Sequence, residues 1–146
     1  MSHLRGRDLD YISDCRLQIS DFMPPSCNAD LLKDRTKRFA LQVIRLCRAL
    51  PRSQESSIIS RQLLRSATSV GANYRAVRRA RSTADFVSKL GIVLEEADET
   101  LFWIELLVES GAAHPEKIAF VCREANELVS IFVASLRTAK GLKSAI

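Results

Sequence analysis

A chain of 146 residues has room for one domain around one core, and 47% hydrophobic with 27% charged residues excludes a disordered or fibrous chain. Twenty-two Lys and Arg against 17 Asp and Glu leave a formal charge of +5. That balance admits nucleic acid or acidic protein as a partner and requires neither.

No stretch approaches the ~20 apolar residues of a membrane span, so no membrane partner is expected. The N-terminus has no apolar run of signal-peptide length, which predicts a cytoplasmic protein. The four cysteines, Cys15, Cys27, Cys47 and Cys122, form no Cys-x-x-Cys pair, and the two histidines are His3 and His114. A zinc site needs soft ligands at close spacing, so neither metal nor cofactor is expected. Cys47 and Cys122 fall on apolar helix faces and read as structural thiols.

Residues 1–29 mix charge, Ser, Pro24 and Pro25 without a sustained period. They read as a flexible leader with a possible short helix over 9–19, or as the product of a start codon set too far upstream. The first strong helix is predicted over 29–50, capped at Asn28 or Asp30 and ended by Pro51. Its inner face carries Leu32, Thr36, Phe39, Val43, Leu46, Cys47 and Leu50.

The second helix is predicted over 54–81. Ile59, Leu63, Ala67, Val70, Tyr74 and Val77 make one stripe on a 3.6-residue period. The stripe survives Gly71, so the helix is expected to continue through it, with the glycine and its small neighbours admitting another helix closely. Ser82-Thr83-Ala84-Asp85 resembles a capping box and opens a third helix, which stops at Gly111. Its predicted core face is Phe86, Leu90, Val93, Leu94, Ala97, Leu101, Ile104 and Val108. Pro115 suits the first turn of a fourth helix ending at Gly141. That helix carries Ile118, Val121, Cys122, Ala125, Leu128, Val129, Phe132, Leu136 and Ala139 inward. Four such helices with short connections predict an all-α, antiparallel up-down-up-down bundle over 30–141, with a tail over 142–146.

Three constellations stand outside these core stripes. Arg61, Arg65, Arg75 and Arg79 fall within about 80° on the helical wheel and span roughly 27 Å; Arg78 and Arg81 widen the basic end. Such a row matches a phosphate backbone, a subunit contact, or a solvated face, and it lacks interleaved exposed aromatics for base stacking. The acids Glu95, Glu96, Asp98, Glu99, Glu105 and Glu109 spread around the third helix. They do not form the inward Glu-x-x-His pattern of di-metal bundles, and no enzyme is expected from them. Ile92, Trp103, Leu106 and Leu107 lie off the third helix's predicted stripe, as Phe120 and Ile131 do on the fourth. A second apolar face suggests another chain, with Glu96 and Glu99 placed to meet Arg61, Arg65 or Arg75 of a neighbour; the other reading is that these residues cover the bundle ends or meet the leader.

The segments LLRSATSVGANYRA and RARSTADFVSKLGIVLEEADETLFWIELL resemble the bacterial four-helix-bundle proteins first noticed in intervening sequences of large-subunit ribosomal RNA genes. The likeness covers about residues 33–139. It rests on Arg65, Ser66, Ser69, Asn73, Phe86, Leu90, Glu95, Ala97, Glu99, Thr100 and Leu107. It implies a bundle that assembles as a ring-like homopentamer. A related branch, the accessory protein of diversity-generating retroelements, is a basic pentamer that binds nucleic acid and a reverse transcriptase. Members often carry an acidic residue and a glycine after the Asn matched by Asn73. Here Tyr74, Arg75, Ala76 and Val77 follow, which makes the helix more basic. The resulting expectation is a non-enzymatic homo-oligomer binding RNA or a ribonucleoprotein through Arg61–Arg81. The alternative is a protein-binding or structural oligomer that uses these arginines between subunits.

Overall fold

The computed structural model describes residues 29–145. The expectations for the leader, Cys15 and Cys27 lie outside these residues. Four helices follow in chain order: α1 Ala29–Ala49, α2 Gln54–Val77, α3 Thr83–Glu109 and α4 Pro115–Ala145. Each packs against the next, and α4 closes back on α1.

One spacing governs the interior. The buried residues run Leu32, Thr36, Phe39, Val43, Leu46 on α1 and Leu63, Ala67, Val70, Tyr74, Val77 on α2. On α3 they run Phe86, Leu90, Val93, Ala97, Thr100, Ile104, Leu107, and on α4 Val121, Ala125, Leu128, Phe132, Ser135, Ala139. Each stripe alternates steps of four and three, the 3.5-residue average that keeps one seam facing its neighbours along a slightly supercoiled bundle.

This regularity corrects two expectations. Leu107 is fully buried and Ile131 is 2% exposed, so both belong to the chain's own core and not to a second face. The polar Thr100 hides the α3 stripe from a hydrophobicity reading, which slips to Leu101 and Val108. In the fold Thr100 is buried because its hydroxyl lies 2.7 Å from the Glu96 carbonyl and 3.0 Å from the Ser66 hydroxyl. On α4, Ile131 stands three residues after Leu128 and four before Ser135, so it widens the buried arc.

The helix ends are set locally. Ser53, in extended conformation, caps α2 by accepting from the Ser56 N–H at 3.1 Å. Ser82 does the same for α3, accepting from Asp85 N–H at 3.1 Å. The Asp85 carboxylate returns to the Arg81 N–H at 3.0 Å, one residue before the cap. The box is therefore reciprocal but offset. The cap residue Ser82 is extended, and the chain leaves α2 at Val77, not at Arg81. Arg79 and Ala80 close the helix with bonds to the Ala76 and Val77 carbonyls, each 3.0 Å. Gly111, at φ 75°, ends α3 in the left-handed conformation that glycine takes without strain. Gly141 does not end α4, which continues to Ala145.

At Gly71, a Cβ would stand 3.5 Å from the Thr36 carbonyl oxygen of α1. The two backbones are close there, as expected, yet that distance is an ordinary contact. Gly71→Ala should therefore raise stability by up to about 1 kcal/mol, through the lower entropy cost of Ala in a helix. Thermal or urea unfolding reads this directly, and a loss would mean that α1 and α2 sit closer than 3.5 Å allows.

The seam between α1 and α4 is the least extensive of the four. Arg35 bridges it, its Nε donating to Glu124 at 2.5 Å and its Nη2 to Glu124 and Glu127. The carboxylates push the guanidinium pKa upward against the opposing effect of burial. A planar fork spanning two acids one helical turn apart suits Arg and would not suit Lys.

Candidate nucleic-acid interface

The predicted arginines divide between α2 and the connection after it. Arg61, Arg65 and Arg75 are exposed on the helix, whereas Arg78, Arg79 and Arg81 belong to the connection after it. Antiparallel packing lays α1 beside α2 in opposite direction, so each end of the row meets a different end of α1.

At the α2 C-terminal end, Arg75, Arg78 and Arg79 join Lys33 of α1 around a cleft of about 240 Å³. Arg78 is the anchored member, with Nη2 2.5 Å from Asp30 Oδ1. Some 21 Å away at 1.5 Å per residue, Arg61 lies by a second cleft of about 770 Å³ with Arg48 and Arg52. Cys47 borders that cleft; its half-buried thiol contacts the Ser60 carbonyl, and burial raises its pKa. Between the two ends, Arg65 lies within electrostatic reach of Glu96 of the same chain. Burial raises the Glu96 pKa first and the Glu99 charge raises it further, while Arg65 pulls it back.

Lys33, Arg48 and Arg52 were not among the sequence candidates. The signal for them was the short connection between the first two helices: an antiparallel hairpin must bring the start of one helix to the end of the other.

The apolar candidates divide. Ile92 and Phe120 are exposed, 47% and 53%, and Trp103 and Leu106 are half-buried. Trp103 packs on the core while its Nε1–H donates to Glu99 at 3.1 Å. The aromatic that α3 turns outward is Phe102, 49% exposed and edge-on to Trp103 at 4.9 Å. Phe102 was not among the sequence candidates. Ile92, Glu99, Phe102 and Leu106 recur at helical spacing and keep a second face on α3, now without Leu107.

The acids of α3 stay dispersed, and among the described residues no group of three His, Cys, Asp or Glu converges as metal ligands would. The ionisable residues of a third cleft, about 780 Å³ at the α1–α2 and α3–α4 connections, are Arg45, His114 and Lys117. A histidine with two cations and no carboxylate beside it is not an acid–base pair. No described helix is long and apolar enough to cross a membrane.

No curated protein matches this chain. A solved structure does: a protein of unknown function from the S23 ribosomal protein family of Bacteroides thetaiotaomicron is 34% identical, with a TM-score of 0.68. The match covers 75% of this chain and 97% of that one. The sequence pattern of a family described as 23S rRNA-intervening sequence protein matches residues 32–134, from the first buried leucine of α1 to about two thirds of the way along α4. With its four stripes, offset capping box and outward basic hairpin, the chain belongs to the 23S rRNA-intervening sequence protein family.

Proposed function

We propose that this protein is a non-enzymatic, cytoplasmic, homo-oligomeric scaffold that binds RNA or a ribonucleoprotein through the basic surface of α1 and α2. The observation that carries the reading is the gathering of cations from both helices at each end of the hairpin, with Lys33, Arg75, Arg78 and Arg79 at one end and Arg48, Arg52 and Arg61 at the other. Guanidinium groups fixed on a rigid helix pair contact phosphates without reading bases. Binding of this kind is weakly sequence-specific and steeply salt-dependent.

A second reading has its own observation. Ile92, Phe102 and Phe120 leave apolar surface that a lone bundle does not need. A homo-oligomer, of which a homopentamer is the form implied by resemblance, covers such surface, and arginines can serve the same contacts.

The test separates the two. Nucleic-acid-free protein is titrated with a structured RNA between 50 and 200 mM salt, with oligomer mass recorded on the same sample. Under the first reading, Arg65→Glu, Arg75→Glu and Arg79→Glu together abolish binding while helicity and mass stay unchanged. Unaltered RNA affinity in the folded triple variant sinks it. Loss of the oligomer by the triple variant assigns the arginines to subunit contacts instead.

A further inference from the structure

We infer that the cleft lined by Lys33, Arg75, Arg78 and Arg79 is a discrete phosphate site, and that its ligand is a phosphodiester of the bound RNA. The inference rests on the RNA reading and sharpens it from a basic face to one pocket. Four positive side chains line about 240 Å³, and no acid is among them. That volume is well above the ~30 Å³ a water takes in the liquid, so a phosphate group fits with part of its hydration.

The four cations do not have the same structural explanation. Arg75 lies in the last turn of α2, where the helix dipole favours a cation. Lys33 has no such reason: it follows the first turn of α1, at the positive end of that helix. It is half-buried and shares the cleft with three arginines, an arrangement that an anion complements. Ion pairs among the described residues engage Arg78, through Asp30, but none of Lys33, Arg75 or Arg79. Asp30 thus holds one guanidinium in place at the rim and leaves three donors for a ligand. A tetrahedral oxyanion accepts from several directions at once, which suits one side chain from α1 and others from the end of α2 better than a planar carboxylate does.

The experiment uses the full chain and two paired variants, Lys33→Gln with Arg79→Gln, and Arg48→Gln with Arg61→Gln at the far end. Arg48, Arg61 and Arg79 are exposed and Lys33 is half-buried, and unchanged helicity with a cooperative unfolding transition certifies folding. The site predicts that the first pair weakens structured-RNA binding on the order of tenfold or more and flattens the salt slope by roughly 0.7–0.9 for each phosphate contact removed. The second pair should lose less than about threefold. Equal losses in both pairs overturn the discrete site but leave the RNA reading standing. No loss in the first pair overturns the site as well.

Inorganic phosphate is the second probe. If the wild type binds no RNA but gains thermal stability from phosphate, and the first pair abolishes that gain, the pocket is a phosphate site and the ligand is a free phosphate, which overturns the RNA assignment. Binding of neither probe overturns both.

Discussion

Phe132→Ala should lower the unfolding free energy by about 3–5 kcal/mol, the usual cost of emptying a buried aromatic site. Phe132 is fully buried in the middle of α4, and its ring lies 6.2 Å from that of Tyr74 on α2, at an interplanar angle of 29°. The pair spans the interior diagonally, from a helix to one that is not its neighbour in the ring. Removing the ring therefore takes packing from the bundle's centre, where no single helix can shift to fill the space. Small domains have only about 5–15 kcal/mol in hand, so the variant should unfold at a much lower urea concentration with an unchanged slope. A cost below about 1 kcal/mol would mean that the centre is loosely packed and the Tyr74–Phe132 contact is incidental.

Leu107→Ala should cost about 2–5 kcal/mol of folding stability, while Phe102→Ala five residues earlier should cost under about 1 kcal/mol. Leu107 is completely buried; Phe102 is 49% exposed. The contrast separates the two faces of one helix. Leu107→Ala acts on the fold at any protein concentration. Under the proposed homo-oligomer, Phe102→Ala acts on assembly, so sedimentation or mass photometry should show a smaller particle while the helices stay formed. Because oligomers gain stability by mass action, the unfolding comparison belongs at low concentration, where subunits are separate. Equal stability losses at both positions would show that Phe102 is part of the fold and would remove the main evidence for a second apolar face on α3. An unchanged particle mass for Phe102→Ala would remove that residue from the subunit contact.

The sequence alone determined the four helices, most of their inner residues, and the turn chemistry at Pro51, Ser82, Gly111 and Pro115. These are local matters. A helical period is visible within a few turns, and a cap bonds to a residue three positions away. Even the basic character of α2 needs no fold to be seen. Where the reading slipped, a polar residue stood in an apolar register: Thr100 is buried because Ser66 of another helix shares its hydroxyl network, and that contact spans 34 positions.

Tertiary structure decided the rest. Leu107 and Ile131 went inward because stripes must face one another along a supercoiled seam, and the width of the buried arc depends on which helices lie opposite. Arg35 found Glu124 and Glu127 across the α1–α4 seam, at separations no local pattern carries. The row from Arg61 to Arg79 became two separate clusters, since α1 runs antiparallel to α2 and delivers Lys33 to one end and Arg48 to the other. Charge is a property of residue type and can be counted along the chain. Its concentration at a point depends on which helix ends are brought together, and only the packing of the bundle fixes that.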